Sequence, residues 1–93
     1  MIQKQLVFRL HAVQRMFQRN ITIDEVKHIL KTGTTIEDYI DDIPYASRLV
    51  LGWCGSRPLH VVVAENKESD ELIVITVYEP DPAQWGSRFT RRI

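Results

Sequence analysis

The stretch Arg57-Pro58-Leu59-His60-Val61-Val62-Val63-Ala64, followed after a polar run by Leu72-Ile73-Val74-Ile75-Thr76-Val77-Tyr78, constrains this chain most. Both halves are apolar and rich in β-branched residues, which suit a pleated surface, and residues 65–71 between them are polar turn formers. The pair is expected to form the central hairpin of a sheet. Side chains alternate along a strand, so Leu59, Val61 and Val63 share one face while His60, Val62 and Ala64 share the other. The partner strand divides into Ile73, Ile75 and Val77 against Val74, Thr76 and Tyr78. One face is wholly aliphatic and suits helices. The other carries His60, Thr76 and Tyr78 among small apolar residues and becomes the candidate site. The expected pairing sets His60 opposite Tyr78 and Val62 opposite Thr76, because a slip of one residue would bury the histidine among aliphatics.

N-terminal to this hairpin the pattern is helical. From Leu10, the residues Leu10, Ala12, Val13, Met16 and Phe17 fall on one arc at about 100° per residue, and His11, Gln14, Arg15, Gln18 and Arg19 fill the opposite one. Asn20 breaks this helix, and Thr22 with Glu25 forms a capping box that starts a second, whose buried arc is Ile23, Val26, Ile29 and Leu30 and which Gly33 ends. His28 points away from that arc as plain surface. Residues 1–9 read three ways, with Leu6, Val7 and Phe8 as a short edge strand, as a lead-in to the first helix or as irregular structure, and irregular structure is the expectation. Thr34–Tyr39 reads as a first strand and residues 48–54 as a second, with Leu49, Leu51 and Trp53 on one face and Val50, Gly52 and Cys54 on the other. Glycine inside a strand marks a bulge or a close approach. After the fourth strand Glu79-Pro80-Asp81-Pro82 stops regular structure, and residues 85–93 are a tail. The expectation is a single α+β domain over residues 1–93, with two N-terminal helices packed on one face of a four-stranded antiparallel meander. Its core would comprise Leu10, Val13, Phe17, Val26, Ile29, Leu30, Leu49, Leu51, Val61, Val63, Ile73, Ile75 and Val77.

Composition narrows the function. A single cysteine, Cys54, excludes an intramolecular disulfide and a thiolate zinc site, and its place in an apolar strand makes it a small hydrophobe. The apolar runs are of strand length and the start lacks a signal-peptide core, which points to a cytoplasmic protein. Twelve basic and twelve acidic residues cancel, against a protein that coats nucleic acid by bulk charge. Their distribution is uneven. Lys4, Arg9, Arg15 and Arg19 lie near the start and Arg88, Arg91 and Arg92 at the end, whereas acids gather at 37–42 and 65–71. If the ends meet, the molecule has a basic and an acidic pole. No metal-binding, phosphate-loop or serine-nucleophile motif occurs, and no cofactor is expected.

What remains is His11, Arg15, Arg19, Arg57, His60, Thr76 and Tyr78, with Arg91 and Arg92 in reserve. Histidine titrates near neutral pH, arginine grips phosphate through a planar fork, and tyrosine donates a hydrogen bond or stacks on a base. Metal-free RNA cleavage needs a base, an acid and positive charge at the phosphorus.

The combination His11-Ala12-x-x-Arg15-Met16-x-x-Arg19, Ile21-Thr22-x-x-Glu25-Val26, Gly33, Tyr39, Leu51-Gly52-Trp53, Arg57-Pro58-Leu59-His60-Val61 and Val74-Ile75-Thr76-Val77-Tyr78-Glu79-Pro80 resembles the family of domains of unknown function numbered 4258. The resemblance spans nearly the whole chain. It implies similarity to RelE and barnase-like ribonuclease toxins, small α+β proteins often encoded beside an antitoxin, and it points at His11, Arg15, Arg57, His60, Thr76 and Tyr78. On that reading the chain is an endoribonuclease toxin with RNA and a cognate antitoxin as partners. His60 and His11 would exchange protons, Arg15 and Arg57 hold the scissile phosphate, Tyr78 orient a base, and Arg19, Thr76, Arg91 and Arg92 extend the binding surface. The alternative is a catalytically silent interaction module, or a homodimer, whose polar sheet face is an interface.

Overall fold

The computed structural model describes residues 5–92. Its elements are β1 (Gln5–Phe8), α1 (Leu10–Arg19), α2 (Ile23–Thr32), β2 (Thr34–Tyr39), β3 (Ser47–Cys54), β4 (Arg57–Asn66) and β5 (Glu71–Tyr78). They form one five-stranded sheet in the order β1-β5-β4-β3-β2. The α+β class and the two helices are as expected, but the sheet is mixed. Gln5–Phe8, expected to be irregular, runs parallel to β5 with Leu6 opposite Leu72 and Phe8 opposite Val74. Four residues carry too little periodicity to announce a strand, and here the edge of β5 supplies the partner backbone. Met1–Lys4, and with them the basic Lys4, lie outside the described residues, as does Ile93.

Both helices lie on the same side of the sheet, α1 over β5 and α2 over β3 and β4. The core between the layers is Ala12, Met16, Ile21, Val26, Ile29, Val50, Leu59, Val61, Val63, Val74 and Val77, with Leu6, Phe8, Leu30, Cys54 and Leu72 against it. Local chemistry shapes the helix ends. Asn20 takes a left-handed conformation (φ 56°), and the Asn20 and Ile21 amides return to the carbonyls of Phe17 and Met16, a Schellman closure that drops Ile21 into the core. Thr22 and Glu25 form the expected capping box, at 2.8 and 3.1 Å.

The hairpin register is the expected one: His60 opposes Tyr78 and Val62 opposes Thr76. Beyond it, Val63 opposes Val74, so β5 has one extra residue, Ile75, at a bulge. One inserted residue moves all later side chains to the other face. Val74 therefore joins the helix-side core, whereas Ile73 opposes Ala64 on the second face and Ile75 is only half-buried. Leu49 and Leu51 are also corrected. They oppose Val62 and His60, hence lie on the second face, and Val50, Gly52 and Cys54 are the residues of β3 that meet the helices. The helix-side core expected in α1 is corrected too: Ala12 and Met16 face the sheet, while Leu10, Val13 and Phe17 are 73%, 47% and 89% exposed. Ala12 has no bulk beyond Cβ, so it admits the closest approach to the sheet, and the buried cap at Ile21 holds the helix in that rotation.

Gly52 lies directly under α2. A Cβ there would stand 2.6 Å from Ile29 Cδ1 and 3.2 Å from Ile29 Cα, and the helix backbone cannot yield like a side-chain tip. Gly52→Ala is therefore expected to lower unfolding free energy by about 1–3 kcal/mol, the range for overpacking. Urea denaturation with an unchanged m-value checks this.

Candidate functional site

On the second face, β4 supplies His60, β5 Tyr78, β2 Glu37 and Tyr39, and β3 Leu49, Leu51 and Trp53. After Pro80, which is buried, the chain turns on Asp81, whose carboxylate accepts the Ala83 amide and whose carbonyl accepts those of Gln84 and Trp85. The segment then folds back across this face. A bridge pairs Trp85 with Arg92, and the Gly86 amide donates to the Arg91 carbonyl at 2.9 Å.

His60 is fully buried beneath that segment. Its Nε2 lies 2.8 Å from the Phe89 carbonyl and its Nδ1 3.1 Å from the Tyr78 hydroxyl. A carbonyl only accepts, so Nε2 carries a proton; in the neutral imidazole Nδ1 is then bare and accepts from the Tyr78 hydroxyl. The Trp85 ring meets the imidazole edge to face at 4.4 Å, and the Tyr78 ring at 5.2 Å. Burial pushes the imidazole pKa down, outweighing the Phe89 hydrogen bond and Glu37, which act upward, while Arg92 adds to the lowering. Burial likewise pushes the Tyr78 phenol up.

Beside this buried pair is a wetter group. The Arg92 guanidinium lies 4.6 Å over the Trp85 ring, and its Nε is 3.5 Å from a Glu37 carboxylate oxygen. The Tyr39 hydroxyl donates to the other Glu37 oxygen. Burial, then the Glu37 hydrogen bond and charge, push the Tyr39 phenol up to about 12. Phe89 meets Trp53 edge to face at 5.9 Å, with Arg88 and Arg91 exposed nearby in sequence.

The structure thus brings together His60, Tyr78 and Arg92, with Thr76 half-buried on the same face opposite Val62. It does not bring in His11, Arg15 or Arg19. These belong to α1, on the helix side of the sheet, so the expected quartet of His11, Arg15, His60 and Tyr78 spans two layers. Nor do the basic ends unite into one pole, since the tail meets Glu37 on the second face. Arg57 also faces the helices and is committed to the fold. Its Nε binds Glu79 at 2.8 Å, Nη2 the Arg19 carbonyl at 2.7 Å and Nη1 the Asn20 carbonyl at 3.2 Å, with Glu25 at 3.8 Å. A guanidinium at the C-terminus of α1 satisfies open carbonyls and meets the negative end of the helix dipole. Cys54 packs against the core, and burial raises its thiol pKa, as suits an inert cysteine.

Sequence reasoning missed Glu37, Tyr39, Trp85 and Phe89. Alternation could have found the first two, because they share the parity of strand β2 that faces Leu49 and Ser47. Trp85 had a signal as well, a large aromatic in a polar tail that needs cover.

The chain belongs to the family described as Domain of unknown function (DUF4258), whose model matches residues 8–79. No curated protein and no solved structure matches it. The matched range includes Glu37, Tyr39, His60 and Tyr78 but ends before the segment that buries the histidine.

Two outcomes are expected. First, His60→Ala removes both hydrogen bonds and the support under Trp85, lowering stability by about 2–4 kcal/mol. Second, the folded-state pKa of His60 lies below its unfolded value of about 6.5, so the unfolded chain binds the proton first. The stability this neutral histidine contributes is complete above about pH 6.5 and falls as the solution is acidified through the interval down to the folded pKa. Comparing the pH dependence of thermal unfolding in wild type and His60→Gln checks it: the variant should have the shallower slope.

Proposed function

We propose that this chain is a toxin-like endoribonuclease domain, similar to the RelE and barnase-like class, that receives RNA on the second sheet face, with an antitoxin protein as its natural restraint. The observation that carries this reading is the convergence of Glu37, Tyr39 and Arg92 beside the His60–Tyr78 pair, next to an aromatic pair and two further arginines. Arginines interleaved with aromatics suit single-stranded nucleic acid, where bases stack and the backbone is held by charge. In metal-free cleavage the 2′-hydroxyl attacks the adjacent phosphorus and the 5′ oxygen departs. Glu37 would take the hydroxyl proton, Arg92 balance the charge gathering on the phosphoryl oxygens, Tyr39 orient the carboxylate, and a water molecule protonate the departing 5′ oxygen as the 2′,3′-cyclic phosphate forms. His60, buried and neutral, acts through Tyr78 and the tail as a positioning group.

RNA binding and cleavage by the purified protein at low salt test this. Binding should weaken as salt rises, and Arg91→Ala and Arg92→Ala should each reduce the slope of log affinity against log salt by about one. Glu37→Gln should abolish cleavage while binding persists. A second reading, a silent interaction module, is favoured by the full burial of His60 with both ring nitrogens engaged. A wild-type protein that neither binds nor cuts RNA would select it.

A further inference from the structure

The helix side of the molecule carries a surface that the nuclease reading does not use. Leu10, Val13 and Phe17 recur at i, i+3 and i+7 along α1 and so form one stripe, and all three are exposed, Phe17 to 89%. Scattered exposed hydrophobics are ordinary, but an aligned stripe ending in a phenylalanine left in water marks a contact surface. The segment's own charge is of one sign: residues 5–19 hold Arg9, Arg15 and Arg19 and no acid.

The same chain presents the complement. In the loop between β2 and β3, Ile40 and Ile43 are 76% and 92% exposed and flank the adjacent carboxylates Asp41 and Asp42. The loop matches the α1 stripe in kind, large apolar side chains among charges of a single sign, and opposes it in charge. They also adjoin. Arg9, at the start of α1, and Asp42, Ile43 and Pro44 of the loop line one cleft of about 170 Å³. Two unlike, mutually complementary patches side by side on one molecule are what a two-fold pairing requires, since the axis between them sets each patch on its counterpart in the other copy.

We propose that the α1 stripe binds the β2–β3 loop of a second copy of this chain, with Ile40 and Ile43 of one copy seated against Val13 and Phe17 of the other in two equivalent contacts. The α1 half of the contact lies on the layer opposite the second face, whereas the β2–β3 loop is part of that face's cover, so Phe17→Asp tests the pairing apart from RNA binding.

Sedimentation equilibrium of the full chain across micromolar to millimolar concentration tests it. The expected result is a weight-average mass that rises from 10.9 kDa toward twice that value. Phe17→Asp and Ile43→Asp should each weaken association by about 30-fold or more, the scale of a central apolar anchor, with far-UV circular dichroism unchanged because both side chains are exposed. Mixing the two variants restores one intact contact per pair, so the mixture should associate more strongly than either variant alone. A wild-type chain that stays monomeric throughout overturns the proposal, and the stripe then belongs to a different protein. So does self-association that responds to Phe17→Asp but not to Ile43→Asp, or a mixture no stronger than its components.

Discussion

Strand β4 is buried on both of its faces. Leu59, Val61 and Val63 lie under the helices, while Pro58, His60 and Ala64 are equally withdrawn from solvent on the opposite side. A strand of this kind obliges the chain to build two covers, because its neighbours β3 and β5 protect only its hydrogen-bonding edges. The helices are the first. The second is assembled from irregular segments: the β2–β3 loop, whose Tyr45 hydroxyl receives the Asn66 amide at 2.9 Å, and the C-terminal turn with Trp85 over His60.

That second cover explains why a histidine can occupy the middle of the sheet. A buried imidazole without partners would be costly, yet among the described residues no buried side-chain nitrogen or oxygen lacks a hydrogen bond. The Phe89 carbonyl and the Tyr78 hydroxyl meet the two ring nitrogens in the neutral form, and burial keeps it neutral. The histidine and the tail are therefore mutually dependent. The tail supplies the acceptor, and the histidine supplies the donor and the ring on which Trp85 closes.

Arginines divide between architecture and surface by what surrounds them. Arg57 meets the open carbonyls at the end of α1 and two carboxylates, so its charge is spent on holding the helix to the sheet. Arg92 is mostly exposed and pairs with a half-buried Glu37, which leaves its guanidinium open to solvent. With the α1 stripe on the opposite layer, the molecule has two chemically different surfaces, one polar and aromatic, the other apolar. Among the described residues no helix is long and apolar enough to cross a membrane.

The sequence by itself determined the elements whose signals are local. Periodicity of 3.6 and 2 located both helices and strands β2 to β5, the Thr22–Glu25 pair announced the start of α2, and the register expected from keeping His60 out of the aliphatic core does set it opposite Tyr78, although the histidine is buried there too, under the tail. Alternation also put Val50, Gly52 and Cys54 opposite Leu49 and Leu51. Which set faces the helices was not legible, since both are apolar and only the pairing with β4 decides. The same holds for α1, where apolar residues cover so wide an arc that Ala12 and Met16 could be chosen over Leu10, Val13 and Phe17 only by contact with β5 and by the cap at Ile21. The bulge at Ile75, the parallel strand β1 and the tail over His60 are long-range events with no local code. They depend on which backbone edge or buried side chain is left wanting a partner once the rest has folded, and that is why Arg57 became a clasp and why Glu37 and Arg92, rather than His11 and Arg15, lie beside His60.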